Sequence, residues 1–142
     1  MTQPLPHHRK LRRIMLELDG VDYSEQLQTG RVVNNTGDAE RFYTFGPVGE
    51  FLEPAEPEYA LELTLYSDWR SAGISTYLTE NDHTIVPFTF EQHVGIVGEH
   101  VRYTGNVLLK APSAGGEARA QDMTEVTLQI EGKPTFEQVT TP

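Results

Sequence analysis

Residues 58–92 decide the fold of this chain, and they read EYALELTLYSDWRSAGISTYLTENDHTIVPFTFEQ. The first third alternates apolar with polar or small residues, and the apolar positions are Tyr59, Leu61, Leu63 and Leu65. A period of two predicts a strand with one apolar face. Ile74, Tyr77 and Leu78 then recur at i, i+3 and i+4, the spacing of a short amphipathic helix. Alternation returns over residues 83–91, so this stretch predicts strand, helix and strand.

The start of the predicted helix carries two candidate caps. Asp68 and Ser71 have short side-chain oxygens that can accept hydrogen bonds from the free amides of a first turn. Gly73 lowers the helix propensity of this segment, so we expect tertiary packing to hold the helix in place.

Further strands are predicted on both sides of this stretch. Residues 13–19 form a first strand, and residues 28–33 and 41–45 form a second pair, joined by a loop rich in Asn and Gly. Residues 100–110 and 123–131 also alternate, and a short final strand is predicted at residues 135–139. The predicted fold class is mainly β, a β-sandwich or half-barrel of about seven or eight strands with one short flanking α-helix.

The segment 46–57 differs from its surroundings because it contains three prolines and three glutamates. Proline cannot donate to a strand ladder, so this segment is predicted to lack regular ladder pairing for most of its length. Phe51 and Leu52 lie alone in its middle. They are interpreted either as a plug folded back on the domain or as a contact with a partner.

Charge is distributed unevenly along the chain. Of the 142 residues, 11 are basic and 21 acidic, and the net charge is −10. Residues 1–13 are predicted to be a flexible basic N-terminal arm, and residues 14–142 a single domain. The arm holds four of the basic residues, so the domain has seven against 21 acidic ones, a balance of −14. Such a body repels phosphate backbones, which disfavours tight DNA or RNA binding.

The sequence predicts no enzymatic activity, metal site or cofactor. Cysteine is absent, which removes disulfides and thiolate metal ligands. His93, Glu99 and His100 could converge, but their spacing matches no ligand motif. No apolar run reaches the roughly 20 residues of a membrane span, so no membrane partner is predicted. The N-terminus lacks the apolar region of a secretory signal, which indicates a cytoplasmic product.

Residues 58–92 contain a strand ending in an acidic residue and Trp, a Gly-Ile helix with Tyr-Leu, an Asn-Asp turn and a Val-x-Phe strand. The residues that carry these features are 61–65, Asp68-Trp69, Gly73-Ile74, Tyr77-Leu78, Asn81-Asp82 and Val86-Pro87-Phe88. Their order resembles that in the tail tube (major tail) proteins of long-tailed bacteriophages. A second similarity runs from Met123 to Leu128 and on to Gly132-Lys133-Pro134. Together they cover the latter half to two-thirds of the chain.

The resemblance implies a structural protein of the virion tail, assembled in the host cytoplasm. Copies would form hexameric rings that stack around the tape measure protein and conduct DNA during ejection without binding it tightly. The polar faces of the strands would line the lumen, with candidates Glu62, Thr64, Thr104, Asn106, Glu125, Thr127, Gln129 and Glu131. Contacts between subunits or rings would involve Arg9, Lys10, Arg12, Arg13, Phe51, Leu52 and Trp69.

Other functions remain open from the sequence. A stand-alone β-sandwich binding module, for example for carbohydrate, would need an exposed aromatic platform, which Tyr43, Tyr66 and Tyr103 could supply. Another phage structural role, such as a tail terminator or a capsid decoration protein, is a further alternative.

Overall fold

The computed structural model describes residue 5 and residues 9–47 and 49–140. Within these residues, eight strands form one antiparallel sheet. The strands are β1 (Ile14–Leu18), β2 (Val21–Asp22), β3 (Leu27–Asn34), β4 (Glu40–Tyr43), β5 (Glu50–Glu53), β6 (Tyr59–Tyr66), β7 (Ile85–Gln92), β8 (Val101–Leu108), β9 (Met123–Ile130) and β10 (Thr135–Gln138). A 3-10 turn spans Ser24–Gln26, and the helix α1 spans Ile74–Glu80. The sheet order is β2-β1-β7-β8-β9-β6-β3, and β10 also pairs with β8. The predicted mainly β class with one flanking helix is confirmed.

The core lies on one face of this sheet, which curls around it as a half-barrel. Inward-facing residues from five strands are buried, and they include Leu16, Leu18, Leu61, Leu63, Leu65, Phe88, Phe90, Val107, Val126 and Leu128. Ile74 and Leu78 of α1 complete the core. A Cβ added at Gly30 of β3 would lie 3.2 Å from Cε2 of Phe90 on β7. Strands far apart in the sheet order therefore approach each other across the core.

The predicted strand, helix and strand of residues 58–92 are confirmed as β6, α1 and β7, but the predicted caps are wrong. Gly73 occupies the N-cap position of α1. The amide of Ile74 donates to Oε1 of Gln26 at 3.0 Å, and the amide of Ser75 donates to the carbonyl of Asp68 at 3.2 Å. A Cβ at Gly73 would overlap the carbonyl oxygen of Asp68, so glycine is required by this close approach.

The pairing predicted for residues 28–33 and 41–45 is also wrong. β3 pairs with β6, with Asn34 opposite Tyr59, and β4 pairs with β5 in a separate two-stranded ribbon. The segment 46–57 is therefore not irregular throughout, because Pro47 and Pro54 flank β5 instead of interrupting it. Within the described residues, no helix is long and apolar enough to cross a membrane.

The last three strands, β8, β9 and β10, are arranged by a close approach at Gly105 and by a turn between β9 and β10. A Cβ at Gly105 of β8 would lie 3.2 Å from the ring of Phe88. A glycine in the middle of a strand predicts such a close approach of another group to the backbone. β9 pairs with β6 along its whole length, but with β8 only at Gln129 and Ile130. After a turn, β10 takes the place beside β8 from Val101 to Thr104.

Candidate assembly surfaces

The polar residues predicted to line a lumen lie on the face of the sheet opposite the core. Across β6 and β9, Glu62 is paired with Thr127 and Thr64 with Glu125. Their neighbours in sequence, Leu61, Leu63, Val126 and Leu128, point into the core. Because side chains alternate along a strand, the four polar residues share the outer face. We call this surface, with its continuation on β3 and β8, the polar face.

The remaining lumen candidates continue the polar face across the sheet. Leu108 of β8 lies opposite Gln129 of β9, so these two side chains lie on the same side of the sheet. Asn106 precedes Leu108 by two residues and therefore lies on this side as well. Thr104 lies between Thr89 of β7 and Thr135 of β10. Glu131 lies just beyond β9, where its amide donates to the carbonyl of Asn106 at 2.9 Å.

Two basic residues that the sequence analysis did not single out also lie on the polar face. Arg31 of β3 is opposite Glu62, with 3.9 Å between Nη1 and Oε1. Lys110 and Glu125 both line a groove of about 640 Å³. The other residues lining this groove are Thr29, Leu63, Thr64, Ala111, Pro112, Ser113, Val126 and Thr127. The polar face is therefore hydroxyl-rich and carries charges of both signs. Exposed ion pairs at such distances add little stability.

The ribbon of β4 and β5 carries several exposed apolar side chains. Among the described residues, β4 and β5 pair only with each other. Phe42, Tyr43, Phe45, Phe51 and Leu52 all remain exposed on it. Arg41 and Glu50 form an ion pair across it. The interpretation of Phe51 and Leu52 as a plug is wrong, because both side chains are at least half exposed.

Trp69 is 43% exposed on the loop between β6 and α1. The loop is fixed by its neighbours, since Arg70 donates from Nε and Nη2 to the carboxylate of Asp68 at 2.8 and 2.7 Å. Nε2 of Gln26 donates to the same carboxylate at 2.9 Å. The side-chain hydrogen bonds from Arg70, followed by the hydrogen bond from its amide, lower the pKa of Asp68 to about 2. Trp69 therefore lies between two residues, Asp68 and Arg70, whose side chains are hydrogen-bonded to each other.

The described part of the basic arm lies against the loop after β7. Nε of Arg9 is 2.7 Å from Oε2 of Glu99, and the amide of His93 donates to the carbonyl of Arg13 at 3.1 Å. Within the described ranges, Lys10, Arg12 and Arg13 form no ion pair. His7, His8 and the other residues before residue 9, except residue 5, lie outside the described part, so the flexibility predicted for the arm stays a prediction.

Glu91, which is buried, forms an ionisable cluster with two partly exposed residues of the neighbouring segment. Its carboxylate accepts hydrogen bonds from Nε2 of His100 and, at 3.2 Å, from Nη2 of Arg102. Glu91 is 4% exposed, so these partners compensate for its desolvation. Arg102 also reaches Glu137 of β10 at 3.4 Å. Through these hydrogen bonds and ion pairs the cluster connects β7, β8 and β10, so its charged residues have a structural role.

The described residues do not assemble the other sites that the sequence raised. They contain no group of three or more His, Asp or Glu side chains placed to hold a metal ion. Tyr66 lies on the outer face of β6, whereas Tyr103 lies on the core side of β8, where its ring contacts that of Phe136 in a tilted arrangement, with 5.4 Å between centroids. Tyr43 is on the separate ribbon. The three tyrosines therefore form no common aromatic platform.

Two solved structures from an extracellular contractile injection system are similar to this fold. No protein-family model and no curated protein sequence matches the chain. The sheath/tube terminator of an extracellular contractile injection system, PVC, in the extended state matches with a TM-score of 0.60 and 12% identity over 96% of this chain and 99% of that one. A chain of the PVC sheath-tube complex in the extended state matches with a TM-score of 0.59 and 14% identity over 96% of this chain and 93% of that one. At such identities the likenesses show a shared fold.

Proposed function

We propose that this chain is a tail tube subunit of a bacteriophage, whose copies form hexameric rings stacked around a tape measure protein. The observation that carries the proposal is the likeness of fold along nearly the whole chain to components of a sheath and tube assembly. The motif resemblance to phage tail tube proteins supports the same role. In this role the protein works by assembly and catalyses no reaction.

The polar face suits the wall of a channel that DNA passes through. Threonine hydroxyls, Asn106 and Gln129 keep such a wall hydrated, and Glu62 and Glu125 contribute negative charge. Six copies at −10 each give a ring of −60, whose field repels the phosphate backbone. Arg31 and Lys110 line the same groove as the carboxylates of Glu62 and Glu125, so the two positive and two negative charges there balance in number. DNA would therefore slide in transit without being bound.

The exposed apolar residues supply the contacts between copies. A ring needs a heterologous interface, in which one surface of each subunit meets a different surface of the next. Phe51, Leu52 and Trp69 are exposed, and burying their apolar area on assembly gains about 25 cal/mol per Å². The assembled protein would reside in the virion tail, after assembly in the host cytoplasm.

A second candidate function is a tail terminator, which caps a tube with one ring. The observation that favours it is the match to the PVC sheath/tube terminator, of which 99% is covered. A terminator and a tube subunit share ring formation but differ in stacking.

Electron microscopy of the purified protein at rising concentration tests both functions. Stacked rings that form open tubes support the tube subunit, and single rings that never stack support the terminator. A protein that remains a monomer at millimolar concentration, and does not add to preformed tails, contradicts both proposals.

A further inference from the structure

The C-terminal strand β10 has few apolar contacts with the rest of the domain. All four of its residues are exposed, and among the described strands it pairs only with β8, from Val101 to Thr104. The ring of Phe136 contacts that of Tyr103, with 5.4 Å between centroids, but Phe136 remains 59% exposed. β10 therefore buries little apolar area, and polar contacts contribute much of its attachment.

Two of these polar contacts join the end of β10 to His100 and its loop. The amide of Val139 donates to the carbonyl of His100 at 2.8 Å. Nε2 of Gln138 donates to the carbonyl of Gly98 at 2.8 Å. The position of His100 therefore influences how the last residues of β10 are held.

The side chain of His100 belongs to a row of ionisable groups that ends on β10. Nε2 of His100 and Nη2 of Arg102 both contact the carboxylate of Glu91, which is 4% exposed. Nη1 of the same Arg102 lies 3.4 Å from Oε2 of Glu137 on β10. Arg102 is therefore shared between a buried and an exposed carboxylate, and a protonated His100 is the second cation beside the buried one.

The protonation of His100 decides whether these charges balance. With a protonated imidazole, two cations face the two carboxylates of Glu91 and Glu137. With a neutral imidazole, Arg102 alone serves both, and the buried Glu91 depends on it more because its desolvation is costly. The hydrogen bond from His100 to Glu91 also weakens, since charge-assisted hydrogen bonds are about twice as strong as neutral ones. Loss of the proton therefore weakens the contact of Arg102 with Glu137.

Further charged or titratable groups lie on the segments that surround this cluster, and they are Glu17 of β1, His93 and Glu99 of the loop after β7, and Arg9 and Arg13 of the arm. Arg9 and Glu99 form an ion pair with each other at 2.7 Å. Among the described residues, Glu91 is the carboxylate that pairs with the imidazole of His100, and His93 forms no ion pair. The imidazole of His100 is therefore the titratable group that acts directly on Glu91.

We propose that the Glu91–His100 pair is a pH-sensitive latch, which holds β10 on the edge of β8 when the imidazole is protonated and loosens β10 when the proton is lost. Release of β10 leaves the backbone groups of Val101 to Thr104 on that edge unpaired. An unpaired strand edge is open to pairing with another chain, so the latch controls access to this edge. The latch acts within one subunit and does not depend on the proposed function.

Amide hydrogen exchange of the dilute natural chain, followed by NMR, tests the latch. Imidazole ordinarily changes its charge between about pH 5 and 8, so the measurements are made at about pH 5.5 and 8.5. After correction for the intrinsic pH dependence of exchange, we expect the amide of Val139 to be about tenfold less protected at the higher pH. The amides of β6 are the internal reference and should change by less than about twofold. An equal change in β10 and β6 would overturn the proposal.

His100→Gln separates this imidazole from the other histidines. The Gln side chain can still donate an N–H to Glu91 but carries no titrating proton, so protection of Val139 should change by less than about twofold between the two pH values. The matched control is His83→Gln, because His83 is exposed and lies beside Asp82, away from β10. This control should keep the change seen in the natural chain. A His100→Gln variant that also keeps that change would overturn the proposal.

Discussion

Phe42 lies directly opposite Phe51 across the β4–β5 ribbon, and the two side chains are 44% and 50% exposed. Paired aromatic rings on a ribbon without further strands leave their apolar area in water. Burial of this area against a second copy is the simplest source of stabilisation for the ribbon.

Replacing Phe42 and Phe51 together by Ser should abolish assembly and leave the folded monomer intact. The side chains contribute little to the core, so we expect the monomer to lose less than about 1 kcal/mol of unfolding free energy. Sedimentation velocity and chemical denaturation measure the two effects. The matched control is Leu128→Ala, which should cost about 2–5 kcal/mol because Leu128 is fully buried.

Deleting residues 51–54 is a more severe version of the same change, since it removes most of β5. We expect no tubes by electron microscopy, with a far-UV circular dichroism spectrum close to that of the natural chain. A deletion variant that still builds full-length tubes would show that the ribbon is not an assembly element.

Gly73→Ala should destabilise the domain by about 1–3 kcal/mol, because its Cβ would overlap the backbone carbonyl of Asp68. The loop and α1 would have to shift apart, which strains the hydrogen bond from Ser75 to Asp68. Gly116→Ala is the control, since a Cβ there meets open space. Thermal unfolding of both variants measures the difference, and equal melting temperatures would contradict the close approach.

Asp68 should titrate with a pKa of about 2, well below its ordinary 3.8, because Arg70 donates hydrogen bonds to its charged form. A lowered folded-state pKa contributes stability above about pH 4, and this contribution is lost as the pH falls to about 2. Carboxyl NMR titration should locate the midpoint. Arg70→Gln should return the pKa of Asp68 toward 3.8, and a midpoint near 4 in the natural chain would refute the assignment.

Glu91→Ala should cost more stability than Glu137→Ala, although both residues contact Arg102. Removing the buried Glu91 carboxylate leaves His100 and Arg102 without their shared acceptor, a loss of about 1–3 kcal/mol. Glu137 is exposed at 3.4 Å from Arg102, so its loss should cost less than about 1 kcal/mol. Urea denaturation compares the two variants, and equal costs would contradict a structural role for the cluster.

Thr127→Cys reports whether the polar face lines a bore. In the monomer we expect this thiol to react with both a small maleimide and a bulky polymer-linked one, because position 127 is exposed. In assembled tubes the small reagent should still react, while the bulky one should be excluded. Equal labelling by the bulky reagent before and after assembly would place the polar face on the outside.

The fold class and the order of β6, α1 and β7 could be predicted from the sequence, because each depends on local periodicity. Alternation at Leu61, Leu63 and Leu65 requires one buried face whatever strand lies beside it. The same argument assigned Glu62, Thr64, Glu125 and Thr127 to the opposite face, where the structure has them. Placement in a lumen stays a prediction, since it depends on other copies.

Tertiary structure alone decided which strands pair, what caps the helix and which charges meet. Residues 28–33 and 41–45 were predicted to pair because a hairpin loop separates them, yet β3 gains its partner from the distant β6. Gln26 reaches the amide of Ile74 across 48 residues, and Arg31 meets Glu62 across 31. Periodicity fixes which side of a strand is apolar, whereas strand partners and polar contacts depend on how separate segments pack, and no local pattern records that packing.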